Sequence, residues 1–150
     1  MSKKSRRKQN QEPILEPLKN SNGIKLLIVD DDSRVTDLLR KLLIVDGYNP
    51  IIENDSSQAV EVALRELPNL ICLDLMMAQP DGFRLCRMLR DIPEFYRTPI
   101  LIITGLDDGD SRAVAFGAGA NDYLTKPFHP GELDEKIRDL LHGSELGLYE

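Results

Sequence analysis

The chain is poor in cysteine and has no hydrophobic run long enough to cross a membrane. Its two cysteines, Cys72 and Cys86, are too few for a disulfide framework, and their spacing is not that of a metal site. Each lies among apolar residues, where a reduced cysteine packs as a small hydrophobic side chain. A spanning helix needs about 20 apolar residues, and the N-terminus lacks the apolar core of a secretory signal. We therefore expect a cytoplasmic protein.

Nucleotide-binding motifs are also missing, because neither a P-loop nor a G-x-G-x-x-G run is present. The formal net charge of −6 is unevenly distributed along the 150 residues. Residues 1–12 hold five cations and one anion, a sum of +4, so the remaining 138 residues carry −10. An acidic body argues against nucleic acid as the main ligand. We interpret residues 1–22 as a flexible basic arm, either without a specific role or in contact with an acidic partner, nucleic acid or an anionic membrane.

Apolar runs alternate with amphipathic segments from residue 25 onward. The runs predict strands at 25–30, 48–53, 69–74, 98–104 and 122–125. The amphipathic segments predict helices that start at 32 or 33 and end near 46, and others at 55–67, 81–90, 107–117 and 130–141. Apolar strands joined by crossovers form a parallel sheet covered on both faces. The expected fold is α/β, a doubly wound five-stranded parallel sheet in the order 2-1-3-4-5, flanked by five helices in a flavodoxin-like three-layer sandwich.

This pattern assigns residues 23–142 to one folded domain and residues 143–150 to a C-terminal tail. With residues 143–150 taken as a tail, we expect no output module after residue 142, and we expect the domain to act through a partner protein or through self-association.

Chemically active side chains cluster at the carboxyl ends of the predicted strands. Asp30 and Asp31 end the first strand, Asp74 ends the third, Thr104 ends the fourth, and Lys126 follows the fifth. Ligands of doubly wound sheets bind at these ends, near the point where the strand order reverses. Taken singly, each residue has an ordinary explanation, such as a helix start, a cap or a solvated lysine. Their coincidence at four strand ends predicts a site.

Neighbouring carboxylates repel one another unless a cation joins them. Mg²⁺ prefers oxygen ligands and leaves room for water and phosphate oxygens. The Lys126 ammonium can bind a phosphate oxygen, and the Thr104 hydroxyl can donate to another. Such a set of groups suits phosphoryl transfer to a carboxylate, which gives an aspartyl phosphate.

Four motifs closely resemble the receiver domain of two-component response regulators, a CheY-like family, over residues 24–142. They are LLIVDDD (26–32), LDLMMAQPDGF (73–83), PILIITG (99–105) and GANDYLTKPF (119–128). The resemblance implies a stand-alone receiver that is not an enzyme in the usual sense. It implies a phosphorelay in which Asp74 accepts a phosphoryl group from a sensor histidine kinase or a phosphotransfer protein, and a downstream protein target.

The resemblance also implies the ligands of a Mg²⁺ ion. Asp30 and Asp31 match the acid pair that holds the metal, with Asp31 the direct ligand and Asp30 acting through water. Asp74 and the backbone carbonyl of Met76 match the remaining protein ligands.

Three further residues match the parts that read the phosphate. Thr104 resembles the switch hydroxyl, and Lys126 resembles the phosphate-binding lysine. Tyr123 resembles the switch aromatic that turns inward on activation, and the Lys126–Pro127 peptide bond is expected to be cis, as in the family.

Two departures from the family pattern concern the surroundings of Asp74. The family commonly has proline at the position of Ala78, whereas here Pro80 lies two residues later, which affects the expected shape of the loop. Met76 and Leu106 occupy the positions that tune phosphate loss in the family. Because both are apolar, neither offers a carboxylate or an amide to an attacking water. We predict slow self-dephosphorylation.

The resemblance extends to an output surface on the fourth helix, the fifth strand and the fifth helix. This surface carries four charged residues that match cross-subunit ion pairs of receivers that dimerise through it, namely Arg112, Asp122, Glu132 and Lys136. They could equally be four solvated charges. Two other function classes stay open, a phosphorylation-independent interaction module and a nucleic-acid-associated regulator that uses residues 1–12.

Overall fold

The structure, a computed structural model, describes residues 23–145. The predicted arm at 1–22 and the last five residues of the predicted tail lie outside the described residues. Strands and helices alternate along the described chain, and the strands are β1 (Lys25–Val29), β2 (Asn49–Glu53), β3 (Leu70–Leu73), β4 (Ile100–Thr104) and β5 (Asp122–Thr125). The α-helices are α1 (Ser33–Val45), α2 (Ala59–Glu66), α3 (Gly82–Arg90), α4 (Gly109–Gly117) and α5 (Pro130–Glu145).

The five strands form one sheet in the order β2-β1-β3-β4-β5, and all neighbouring pairs are parallel. The predicted strand order is therefore confirmed. Val29 of β1 lies opposite Leu73 of β3 in this register. The residues that follow them, Asp30 and Asp74, consequently leave the sheet side by side.

Each face of the sheet carries its own hydrophobic core because successive strand residues point to opposite faces. One core packs alternate residues of β1 and β3, such as Val29 and Leu73, against α2, α3 and α4. The other packs residues such as Ile28 and Cys72 against α1 and α5. Fully burying one such aliphatic side chain stabilises the fold by about 1.5–3 kcal/mol. The two cores hold the strand ends of the site in place.

Both cysteines are free and buried, as predicted. Burial raises the pKa of the Cys72 thiol to about 12 and that of the Cys86 thiol to about 11. Both thiols therefore stay protonated near neutral pH and pack as small hydrophobic groups. No helix between residues 23 and 145 is long and apolar enough to cross a membrane.

Helix boundaries differ from the prediction at three places. The helix predicted at 55–67 is divided into a 3₁₀ turn, Ser56–Gln58, and α2, since the Asp55 carboxylate caps the turn by accepting from the Ser57 amide. A second 3₁₀ turn, Pro93–Phe95, was not predicted. Helix α5 continues through Glu145 instead of ending at 141, and Gly143 within its last turn is buried.

Candidate functional site

A triad of charges, two buried carboxylates and one half-buried lysine, lies at the carboxyl ends of β1, β3 and β5. The Lys126 Nζ atom lies 2.8 Å from Asp30 Oδ2 and 3.3 Å from Asp74 Oδ2. Asp30 is 3% exposed and Asp74 is 7% exposed. Lys126 reaches them from the end of β5, where its backbone amide extends the strand ladder by donating to the Thr104 carbonyl. The structure therefore brings together three of the residues that the sequence predicts.

The charges of this triad depend on one another. Burial raises the pKa of Asp30 above its ordinary value, and the neighbouring Asp74 charge acts in the same direction, although hydrogen bonds from Lys126 and from the Asp32 amide oppose the rise. Burial lowers the pKa of Lys126, but the hydrogen bond to Asp30 and the charges of both carboxylates outweigh it, so the net direction is upward. Two buried carboxylates thus hold a proton firmly on the lysine, which compensates their charge.

The Thr104 hydroxyl lies at the end of β4, buried and without a hydrogen-bond partner in the described part of the chain. Leaving a buried polar group unpaired costs about 1–3 kcal/mol. Most buried polar groups are paired, so an exception at a strand end deserves an explanation. A hydroxyl held here can donate as soon as an acceptor arrives.

Tyr123 is already inside the protein, with 2% of its surface exposed. Its hydroxyl donates to the Leu106 carbonyl at 2.6 Å, and its ring lies 6.3 Å from that of Phe116. This is the inward position that the sequence resemblance associates with activation. The inward turn of the Tyr123 side chain on activation remains a prediction.

Asp31 and Met76, the other two predicted metal ligands, are exposed. The Asp31 side chain is exposed, and no side chain of residues 23–145 pairs with it. Met76 is 60% exposed, and its backbone amide donates to Asp74 Oδ1 at 3.2 Å. Within the same residues, no three acidic, histidine or cysteine side chains are gathered as a metal site. The structure does not assemble the predicted metal ligands into one cluster.

The loop from Asp74 to α3 is held by a close backbone approach. Gly82 packs so tightly against the Asp74 carbonyl that a Cβ atom would overlap it, and its amide donates to the Leu75 carbonyl at 3.1 Å. Asp81 then caps α3 by accepting from the Arg84 amide at 2.9 Å. The Lys126–Pro127 bond is cis, as predicted, and the Gln79–Pro80 bond is also cis.

Two residues that the sequence analysis did not single out contact the loops of the site. The Asn54 side-chain amide donates to the Asp30 carbonyl at 2.8 Å, and the Ser56 hydroxyl donates to the Ala78 carbonyl at 2.9 Å. Both lie just after β2. The rule that led to the other residues, the position at the carboxyl end of a strand, could have found them.

The four charged residues of the predicted output surface all have partners within their own chain. Lys136 Nζ lies 3.3 Å from an Asp122 carboxylate oxygen, and Glu132 accepts from the His129 amide at 2.9 Å. The Arg112 guanidinium lies 4.4 Å from the centre of the Tyr123 ring and donates to Thr125 Oγ1 at 3.0 Å. Cross-subunit ion pairs at this surface would compete with these contacts.

Sequence comparison relates the chain to response regulators. The family model for the response regulator receiver domain matches residues 26–138. The response regulator MprA of Mycobacterium leprae is 41% identical over 118 residues, which cover 79% of this chain and 51% of that protein. The alkaline phosphatase synthesis transcriptional regulatory protein PhoP of Bacillus subtilis is 36% identical over 122 residues, 81% of this chain and 50% of that protein. The chain spans about half the length of these relatives.

Solved structures show the same fold. The BeF3-activated N-terminal receiver domain of RstA from Klebsiella pneumoniae superposes with a TM-score of 0.74 at 33% identity, covering 78% of this chain and 97% of that chain. A CheY-like receiver domain protein from Methanospirillum hungatei superposes with a TM-score of 0.78 at 26% identity, covering 83% of this chain and 98% of that chain.

Proposed function

The chain belongs to the response regulator receiver family of two-component signal transduction, and on that premise we propose that Asp74 is its phosphoryl acceptor. The donor is a phosphohistidine of a sensor histidine kinase or a phosphotransfer protein, and the transfer takes place in the cytoplasm. The observation that carries the proposal is the contact of Lys126 with both Asp30 and Asp74, together with a buried Thr104 hydroxyl that has no partner among residues 23–145.

The transfer forms one bond and breaks another. A carboxylate oxygen of Asp74 bonds to phosphorus while the P–N bond to the donor imidazole breaks, and the electron pair of that bond stays on the imidazole. Lys126, now bound to two carboxylates, is close enough to bind a phosphoryl oxygen. The Thr104 hydroxyl gains an acceptor that it lacks among residues 23–145. Both contacts favour the phosphorylated state.

The oxygen groups that follow β1 and β3 are of the kind that Mg²⁺ binds, although the described residues do not gather all of them around Asp74. The carboxylates of Asp30, Asp31 and Asp74 and the Met76 carbonyl are the hard ligands that this ion prefers. The buried pair of carboxylates already requires a cationic neighbour, and the exposed Asp31 is unpaired in the described region. Bound Mg²⁺ would supply positive charge against the carboxylates and the phosphoryl oxygens. We propose these four residues as its protein ligands.

A groove beside Lys126 gives the donor protein a surface to contact. Its cavity volume is about 410 Å³, and its walls include Val35 and Leu38 of α1 and Phe128 after β5. Leu38 is 52% exposed, so an apolar side chain is available at the rim. A partner that binds here would hold its phosphohistidine near Asp74, which supports transfer from a protein donor.

We place the output of the switch on the surface formed by α4, β5 and α5. Tyr123 lies under this surface, and its hydroxyl contacts the loop that follows Thr104. A change at Thr104 can therefore reach α4 through the loop and the ring. The target is a partner protein or a second copy of the chain that pairs through Arg112, Asp122, Glu132 and Lys136.

Intact-mass measurement after incubation with a small phosphodonor and Mg²⁺ tests the acceptor. We expect the wild-type protein to gain one phosphoryl group and Asp74→Asn to gain none. Asp37→Asn, which changes an exposed acid of α1, is the matched control and should behave as wild type. A wild-type protein that gains nothing would favour the phosphorylation-independent interaction module instead.

A further inference from the structure

The segment after β2 contacts both loops that carry the proposed metal ligands. Asn54 Nδ2 lies 2.8 Å from the carbonyl oxygen of Asp30 in the loop between β1 and α1. Ser56 Oγ lies 2.9 Å from the carbonyl oxygen of Ala78 in the loop between β3 and α3. Since β2 is the edge strand next to β1, its following residues can reach across the rim of the sheet. One short segment thus connects the two halves of the site.

We propose that Asn54 and Ser56 are positioning residues that set the affinity of the acceptor site for its divalent cation. The inference rests on the proposed function, because it takes Asp30, Asp31, Asp74 and the Met76 carbonyl as the ligands. Asn54 acts on the loop that holds the first two, and Ser56 acts on the loop that holds the others. Neither residue contacts the cation in this account.

Ser56 is well placed to fix its loop because its own position is fixed. It is 4% exposed and begins a 3₁₀ turn that Asp55 caps through the Ser57 amide at 3.0 Å. Glu53 in turn accepts from the Asp55 amide at 2.9 Å, which ties the turn to β2. The hydroxyl therefore has little freedom to move away from Ala78.

The loop that Ser56 contacts needs an anchor in its middle. Its start is tied by the Met76 amide to Asp74, and its end is tied by the Gly82 amide to Leu75. Among residues 23–145, Ser56 Oγ is the one hydrogen-bond partner of residues 77–80. Without it, the packing of Met77 against the core and the hydrogen bonds at the two ends remain as restraints. No hydrogen bond then holds the backbone just beyond Met76, so the direction of the Met76 carbonyl is less well defined.

Asn54 anchors the loop between β1 and α1 in the same way. Besides the Asp30 carbonyl, its amide donates to the buried Thr36 hydroxyl at 3.0 Å, so one side chain joins the end of β1 to the first turn of α1. Asp31 lies between these two anchored points. Hydrogen bonds behind metal ligands commonly change metal affinity, because they fix ligands that would otherwise have to be ordered on binding.

A Mg²⁺ titration of the metal-free protein, followed by amide NMR shifts, tests the inference without relying on activity. We expect Ser56→Ala and Asn54→Ala each to raise the Mg²⁺ Kd about three- to tenfold. Ser57→Ala is the matched control, because among residues 23–145 its exposed hydroxyl bonds only to Asp55 in its own turn, at 2.7 Å. Its Kd should equal that of wild type.

Two further readouts separate positioning from a general loss of structure. At saturating Mg²⁺ we expect both variants to reach the wild-type extent of phosphorylation by a small phosphodonor. Hydrogen exchange at the amides of residues 76–79 should be faster in metal-free Ser56→Ala than in Ser57→Ala. Asn54 is exposed, so Asn54→Ala is expected to fold even if the buried Ser56 variant does not.

The outcomes distinguish this inference from the proposed function. Wild-type Mg²⁺ affinity in both variants overturns the inference and leaves the acceptor role of Asp74 intact. A wild-type protein that binds Mg²⁺ but takes no phosphoryl group contradicts the proposed function, while the affinities of the variants still decide whether Asn54 and Ser56 position the site.

Discussion

The Tyr123 hydroxyl donates a 2.6 Å hydrogen bond to the backbone carbonyl of Leu106, which joins the ring on β5 to the loop that follows β4. Thr104 ends β4 two residues before Leu106. The buried ring also lies beneath the Arg112 guanidinium of α4. Tyr123 therefore contacts both the loop next to the acceptor site and the helix of the proposed output surface.

Tyr123→Phe should test this contact by removing the hydroxyl while keeping the ring. We expect the free energy of unfolding to fall by about 1 kcal/mol, because the Leu106 carbonyl loses its partner. Tyr96→Phe is the control, since Tyr96 is 64% exposed and should change stability little. Urea denaturation measures both, and an equal change in the two variants would contradict the importance of the Leu106 bond.

Thr104→Val should have the opposite effect on stability. The Thr104 hydroxyl is buried without a partner in the described residues, so an isosteric valine should leave the free energy of unfolding unchanged or raise it, by up to about 1–3 kcal/mol. The same variant should accumulate less aspartyl phosphate, because a contact to the phosphoryl group is lost.

Thr36→Val provides the control for that substitution. The Thr36 hydroxyl is equally buried, but it donates to the Ser33 carbonyl at 3.2 Å and accepts from Asn54 at 3.0 Å. We expect this variant to lower the free energy of unfolding. If Thr104→Val destabilises the protein as much as Thr36→Val in urea denaturation, the Thr104 hydroxyl must have a partner in solution.

Sequence periodicity predicted the strands, their order and the residues at their ends because those features depend on local patterns and on general rules of parallel sheets. Asp30 and Asp74 follow apolar runs, Thr104 ends one, and Lys126 follows a short strand, and the structure places all four at one rim. The register that pairs Val29 with Leu73 then brings the two buried carboxylates together. This part of the site could be predicted from the amino-acid sequence alone.

Other features depend on tertiary contacts, which the position of a residue in the sequence does not reveal. The roles of Asn54 and Ser56 require the edge strand to lie next to two loops that are distant in sequence. The exposure of Asp31 belongs to the turn after β1, where the Asp30 carboxylate accepts from the Asp32 amide at 2.9 Å, a contact that hydrophobic periodicity does not predict. The inward position of Tyr123 depends on contacts with α4 and with the loop after β4, and hydrophobic periodicity does not predict such contacts.

The lifetime of the phosphorylated state is expected to depend on Met76 and Leu106. Met76 is 60% exposed and Leu106 is partly buried, and neither side chain can orient a water for attack on phosphorus. The double variant Met76→Asn with Leu106→Glu should therefore lose phosphate faster, by about 10- to 100-fold, as a positioned polar group assists hydrolysis.

Phosphate loss after removal of the donor, followed by intact mass, measures this lifetime. Met88→Asn is a suitable control because it adds the same amide on α3, at a partly exposed position away from the strand ends. Slow loss in wild type and fast loss in the double variant are expected. A wild-type half-life of seconds that the double variant leaves unchanged would contradict the role of these two positions.

Self-association through the surface of α4, β5 and α5 must compete with contacts that the chain already makes within itself. Arg112 and Lys136 are engaged with Tyr123 and Asp122 of their own chain, so a dimer must exchange these contacts for others across the interface. Exposed ion pairs contribute only about 0–1 kcal/mol each, so this exchange is nearly balanced and a phosphoryl group can shift it.

We expect wild type to be a monomer alone and a dimer with a phosphate mimic on gel filtration. Arg112→Glu and Lys136→Glu should stay monomeric with the mimic, whereas Arg40→Glu, a charge reversal on α1, should dimerise as wild type does. If wild type stays a monomer with the mimic bound, the four charges serve their own chain and the output passes to a different protein.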